Sequence, residues 1–360
     1  MNIMKKIFIG IDFSKLKFDA AIYQLDVDST YLTEVFENEQ KGYSDFLKWV
    51  SENTQCQKST ILFCGEHTGY YSANLSNFLY ESGYDLWLVS GLQMKLSQGI
   101  KRIKTDRMDS CKIAEYAYRY QDKATLYKPI SPFLDQIRDL LSYRERLVES
   151  RKIFSTSAKE LRRVKKGPSA DFIYQSSLDY IKLLANNIRT CENQIVELIN
   201  QDKSLITNYK LINSVVGIGL VNASLILVAT SNFTTFSNPR KFGCYCGVVP
   251  FEYSSGTSIH GRTRVSKLAN KNIKTKLTLA AQNSILNDPE MRAYYLRKKA
   301  EGKSHWLVLN NVKNKLVHRI FAVVRDGKMY DKQYIHPLKI QQNQESLILQ
   351  SICIKNNINV

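Results

Sequence analysis

The sequence predicts an α/β domain followed by a mainly helical one, and three observations carry that prediction. Short apolar runs alternate with amphipathic stretches through the first part of the chain, as strands and helices do in a layered α/β unit. Pro129 and Pro132 then punctuate the chain, and beyond them apolar residues recur at helical spacing. The 360 residues carry 51 Lys and Arg against 33 Asp and Glu, a net charge of +18, with 44% hydrophobic residues. That composition supports two or three domains with real cores, and its charge points to a polyanion as partner.

Residues 6–14 (KIFIGIDFS) form a short apolar run that reads as a buried strand, and residues 17–24 (KFDAAIYQ) as its hairpin partner. Residues 31–38 alternate and read as a third strand. Residues 42–53 place Phe46, Leu47 and Val50 at helical spacing. A further apolar strand over 59–66 ends in Glu66, a helix follows over 70–82, a strand over 84–90, and helices over 93–99 and 106–120. This gives a mixed α/β domain over residues 1–125.

Acidic residues fall at particular places in this pattern. Asp12 lies at the end of the first strand and Glu66 at the end of a later one; in open α/β sheets functional groups gather just beyond strand ends. Asp106 and Asp109 are three apart in a predicted helix and so share a face. Two carboxylates that close repel each other unless solvent or a cation intervenes. Each residue alone also reads as a turn or helix-cap residue. Together they form a four-carboxylate set whose oxygen-only chemistry suits Mg2+ or Mn2+. Lys101, Arg102, Lys104 and Arg107 ring the pair, as an enzyme acting on nucleic-acid phosphates requires.

From residue 126 to 204 the pattern is that of a helical arm. Residues 133–166 carry Ile137, Leu140, Leu141, Leu147 and Ile153 at helical spacing, Gly167-Pro168 breaks the run, and residues 178–200 resume it. Two antiparallel helices, a coiled-coil arm, follow from this reading. Arg162, Arg163, Lys165 and Lys166 then lie near the tip, as a contact for a nucleic-acid backbone or as a solvated face. Gly217-Ile218-Gly219 separates two apolar segments, either a phosphate-facing helix–hairpin–helix turn or a close helix-packing turn. Residues 240–247 read as a short helix. A loop with Ser254-Ser255-Gly256 follows, then Arg262, Arg264 and Lys267, and a basic helix over 270–283 that includes Lys271. A serine is a poor nucleophile without an activating partner, but nearby Arg and Lys suit the charge that develops on a phosphate. Helix is expected to continue to residue 332, and residues 336–360 form a Gln/Asn-rich tail.

The order of these motifs resembles the DEDD transposases of the insertion-sequence-110 family and the related Piv-type DNA invertases. The matching stretches are Ile9-Gly10-Ile11-Asp12, Gly65-Glu66-His67-Thr68-Gly69 and Lys104-Thr105-Asp106-Arg107-Met108-Asp109. In the second half they are the Gly247-x-x-Pro250 spacing, Ser255-Gly256 and Ser266-Lys267. The resemblance implies a RuvC-like (RNase H-like) first domain with Asp12, Glu66, Asp106 and Asp109 as metal ligands. It also implies a transposase domain over residues 205–335 in which Ser255, with Ser254 as rival, attacks DNA. It implies further a structured bridge RNA that pairs with donor and target DNA, and homo-oligomers, dimer or tetramer, with shared active sites. One departure stands out: the family usually has Ser-Lys-Arg-Gly-Asn, and this chain has Ser266-Lys267-Leu268-Ala269-Asn270.

Other classes fit less well. No apolar span of about 20 residues is present for a membrane helix, and residues 1–12 turn acidic too soon for a signal peptide. A cytoplasmic, nucleoid-associated protein is expected. Seven scattered cysteines read as reduced thiols, not a zinc site. An actin-like sugar kinase would need glycine-rich phosphate loops that the chain lacks. A metal-dependent RuvC-like nuclease using water, and a decayed nucleic-acid binder, share much of the pattern; strand joining through Ser255 separates the first, and loss of all cleavage the second.

Overall fold

The computed structural model of the protein describes residues 5–24, 31–97, 106–255, 259–266 and 268–331. These fall into two compact units that divide at Pro129/Ile130.

The first unit is a five-stranded sheet with helices on both faces. Its elements are β1 (Ile7–Phe13), β2 (Lys17–Gln24), β3 (Leu32–Glu37), α1 (Gln40–Thr54), β4 (Ile61–Glu66), α2 (Tyr70–Glu81), β5 (Asp85–Val89), α3 (Gly91–Ser97) and α4 (Asp106–Arg119). The strand order is β3-β2-β1-β4-β5. β2 runs antiparallel to β1 and β3, while β1, β4 and β5 are parallel. This mixed topology is consistent with the RNase H-like arrangement.

Side chains alternate across the sheet. Ile7, Ile9, Ile11 and Phe13 of β1 pack with Phe46 of α1 and Leu75 and Leu79 of α2 on one face. Phe8 of β1 and Leu62 and Cys64 of β4 pack with Ile113 and Ala117 of α4 on the other. Gly10 shares that second face. A β-carbon at Gly10 would collide with the Ser110 carbonyl and the Ala114 amide, so its absence lets α4 lie directly on β1.

The second unit opens with two long helices, α5 (Pro132–Val164) and α6 (Pro168–Gln201). The predicted break at Gly167-Pro168 is the turn between them, but α6 starts at Pro168 and not near residue 178. Gly167 supplies a φ of 125°, and proline at the first helical position loses no needed N–H. The helices run antiparallel. Arg144 pairs with Glu192 at 2.7 Å, Phe154 stacks on Tyr180 at 5.4 Å, and Arg162 lies over the Tyr174 ring at 4.3 Å.

The unit continues through α7 (Lys203–Asn213), α8 (Leu220–Ala229), α9 (Pro239–Tyr245), β6 (Phe251–Ser255), β7 (Ile259–Arg264), α10 (Lys271–Asn287), α11 (Pro289–Ala300) and α12 (His305–Asp326). One core joins the first turns of α5 and the last turns of α6 to α7–α10 and α12, through Ile137, Ile195, Ile212, Leu227, Phe242, Leu277 and Leu316. Asp288, 2% exposed, caps α11 and accepts hydrogen bonds from Arg319 at 2.6 Å and Tyr330 at 3.1 Å. Gly217 (φ 95°) sits against the Ala280 carbonyl of α10, so its side of the Gly217–Gly219 turn is a packing contact. The segment that reads in sequence as an exposed Ser-Ser-Gly loop is in part a strand: β6 pairs antiparallel with β7 and its last pair is Ser255 with Ile259.

Among the described residues the cysteines are free thiols, with Cys64, Cys111, Cys191 and Cys246 buried. Among the described residues no helix is long and apolar enough to cross a membrane.

Candidate active site

Strand alternation decides which acidic residues meet. Gly10 and Asp12 lie two apart on β1, and Cys64 and Glu66 two apart on β4, so Asp12 and Glu66 share the face that α4 covers. α4 touches Gly10 through Ser110 and Ala114; one turn earlier, Asp106 and Asp109 come alongside Asp12. The consequence is electrostatic. Burial pushes the Asp12 carboxyl up from 3.8 to about 6, and the charges of Asp109, Asp106, Asp19 and Glu66 push it in the same direction. The structure thus brings Asp12, Glu66, Asp106 and Asp109 into one charged group.

Asp19 belongs to the same group and is not evident in the sequence. It is 6% exposed and lies directly opposite Asp12 in the β1–β2 pairing. The available signal is an aspartate inside an otherwise apolar strand, joined to Asp12 by a short hairpin. Two lysines temper the negative charge. Lys17 Nζ lies 3.7 Å from Asp19 and 3.9 Å from Asp106, and Lys112, 8% exposed, donates a hydrogen bond to Asp109.

The donor set is carboxylate oxygen only, which fits a hard divalent cation. It is not preassembled: among the described residues no three acidic, histidine or cysteine side chains close to metal-ligand distance. The Glu66 carboxylate lies against Gly91, where a β-carbon would strike it. Gly91→Ala is therefore expected to displace Glu66 and slow any chemistry that uses it by about 10²-fold, with unchanged nucleic-acid affinity. Cleavage rates and binding isotherms of the variant check this.

In the second unit, Ser255 stands at the end of β6 and Ser254 is exposed beside it. Arg262 and Arg264 are on β7, and Arg264 is exposed, as is Lys271 in the first turn of α10. Asn270 fastens this region: its backbone N–H donates to the Tyr245 carbonyl at 2.9 Å and its Oδ1 accepts from Ile273 N–H. Ala269 fills the space beside Gly247 (φ 66°), whose missing β-carbon would lie 2.5 Å from it. The alanine that departs from the family's usual glycine thus packs against a second glycine. Arg107 is exposed on α4, and Arg162, Arg163, Lys165 and Lys166 are exposed where α5 turns into α6. Lys104 and Lys267 lie outside the described residues.

Comparison with known proteins places this pair of units in a class of transposases. Residues 9–162 match the DEDD transposase model of the IS110 type, and residues 209–296 match the transposase model of the IS116/IS110/IS902 family. The chain belongs to this transposase family. It is 26% identical over 336 residues to the pilin gene-inverting protein of Moraxella bovis, covering 92% of this chain and 99% of that one. It is similarly 26% identical over 247 residues to an uncharacterized 43.6 kDa protein of insertion element IS110 from Streptomyces coelicolor, covering 68% of this chain and 59% of that one.

Proposed function

We propose that the protein is a site-specific DNA recombinase that mobilises an insertion sequence by metal-assisted cleavage and serine-linked strand exchange. The observation that carries the reading is the group of carboxylates around Asp12 on one face of an RNase H-like sheet. Asp12, Glu66, Asp106 and Asp109 would hold Mg2+ or Mn2+, which polarises a scissile phosphate when bound. Ser255 attacks phosphorus and gives up its hydroxyl proton as the bond from phosphorus to one DNA oxygen breaks, and that oxygen takes up a proton and leaves as a hydroxyl. The hydroxyl of a second end then attacks the phosphoserine and restores the serine. One phosphodiester is exchanged for another, so no ATP is consumed. The similarity to a pilin gene-inverting protein supports rejoining over simple cutting.

A structured RNA as guide accords with the chain's charge and with the exposed basic group at Arg162, Arg163, Lys165 and Lys166; pairing would then read sequence while the protein reads backbone. Ile153, Val164, Phe172 and Leu183 are exposed along α5 and α6, which supports a homo-oligomer formed through these helices. Replacing the four basic residues with alanine is expected to leave folding intact, because all four are exposed. It should flatten the plot of log affinity against log salt by about one unit for each phosphate that is no longer neutralised. Filter-binding at several salt concentrations reads that slope.

The reading as a whole is tested by incubating the protein and any co-purifying RNA with Mg2+ and a plasmid carrying two element junctions. Joined recombinant product is expected. Nicked or linear plasmid alone would contradict it.

A further inference from the structure

The corner where α11 meets α12 carries a feature that the chemistry above does not use. Residues 292–303 hold five basic side chains and one acidic, Glu301, which Lys298 engages at 2.7 Å. Arg292, Tyr295, Leu296 and Lys299 share one face of α11, and all but the half-buried Tyr295 are exposed. That face meets the first turn of α12: the Tyr295 hydroxyl and His305 Nδ1 share a hydrogen bond of 2.8 Å. Lys303 is exposed two residues before His305.

Trp306 follows His305, the two rings lying edge to face with centroids 5.0 Å apart. It is 71% exposed, whereas Trp49 and Trp87 pack against the cores of the first unit. Its place is nonetheless fixed. Ser304 caps α12 by accepting from the Leu307 N–H, and Val308 and Leu309, two and three residues beyond Trp306, are buried. An indole held open to solvent offers a free π-face, and every nucleobase can stack on one. A base inside a duplex is covered on both faces, so the matching ligand is a strand with unpaired bases. Arg292 and Lys299 would meet its phosphates. A second copy of this chain, docked here across a two-fold axis, would bring the same cations against each other, which disfavours a protein interface at this corner.

We propose that Trp306 is a stacking platform for an unpaired base of single-stranded DNA, with Arg292 and Lys299 neutralising the flanking phosphates. The platform rests on the recombinase reading only for the choice of DNA over RNA: in strand exchange, DNA bases leave one partner before they pair with another. Stacking is tolerant of sequence, so the platform would hold a strand without selecting it.

The test titrates the full chain, without metal ion, with an oligodeoxythymidylate of about 12 nucleotides and with an oligouridylate of the same length. The DNA strand is expected to quench the long-wavelength tryptophan emission of wild type. Trp306→Phe should remove that quenching and keep affinity, read by filter binding, within about threefold, and Trp306→Ala should weaken binding by about tenfold. Arg292→Gln and Lys299→Gln should each flatten the salt dependence of log affinity by about 0.7. All three side chains are exposed, so the variants should fold as wild type does. Unquenched emission at saturating DNA, or Trp306→Ala binding as tightly as wild type, would overturn the proposal; so would quenching by the RNA strand alone. An oligomer that dissociates in Trp306→Ala with unchanged DNA binding would also overturn it, in favour of a protein interface. Quenching that is lost in Trp306→Phe, with a wild type that gives no joined plasmid, would leave the platform standing and remove the recombinase reading.

Discussion

Ser255→Ala is expected to abolish covalent attachment of the protein to DNA and to lower strand exchange by at least about 10³-fold, the scale on which loss of a nucleophile is felt. The reason is chemical. A phosphoserine link needs the serine oxygen, and no water molecule can replace it in conserving the phosphodiester. The change removes a single hydroxyl from the end of a two-stranded hairpin, so the fold should survive and DNA affinity should stay within about twofold. Ser254→Ala is the control. The two serines are adjacent on β6, so a general disturbance of the hairpin would show in both variants.

Asp12→Asn is expected to remove metal-dependent cleavage and, at the same time, to stabilise the metal-free protein at neutral pH. The sign follows from the raised carboxyl. Asp12 in the folded chain holds its proton up to about pH 6, against 3.8 for an ordinary aspartate. The folded state therefore binds that proton more tightly than the unfolded one. The resulting penalty is absent below about pH 4, grows between 4 and 6, and is complete above 6. At roughly 1.4 kcal/mol per unit, discounted for partial exposure, it amounts to about 1–2 kcal/mol. Asp12→Asn should thus melt a few degrees above wild type at pH 7.5 and equal to it at pH 4. Millimolar Mg2+ should raise the melting temperature of wild type and not that of the variant. Melting curves across pH, with and without Mg2+, check each part.

Much of the first unit is legible in the sequence because its central strands are largely apolar and its helices amphipathic. Residues 6–14 and 59–66 frame the observed β1 (Ile7–Phe13) and β4 (Ile61–Glu66). The spacing of Asp106 and Asp109 indicates their shared face directly. What brings them to Asp12 is not legible. It depends on Gly10, which in a strand reads only as a weak former, and whose use appears once α4 is seen resting on it. Asp19 is hidden for a similar reason: its partnership with Asp12 is set by hairpin register, which sequence leaves open. The β6–β7 hairpin escapes a sequence reading because exposed Phe251, Glu252 and Ser254 give no alternation of buried and open positions. The start of α6 reads too late because Pro168 looks like a breaker where it serves as a first-turn residue.

Strand exchange by a serine and a carboxylate group acting together is open to direct measurement by covalent trapping: protein with co-purified RNA, Mg2+ and labelled junction DNA, separated on a denaturing gel. A protein–DNA adduct is predicted for wild type and Ser254→Ala, and none for Ser255→Ala or Asp12→Asn. Free cut DNA that persists in Ser255→Ala, with no adduct in any sample, would contradict the account and leave a nuclease that uses water.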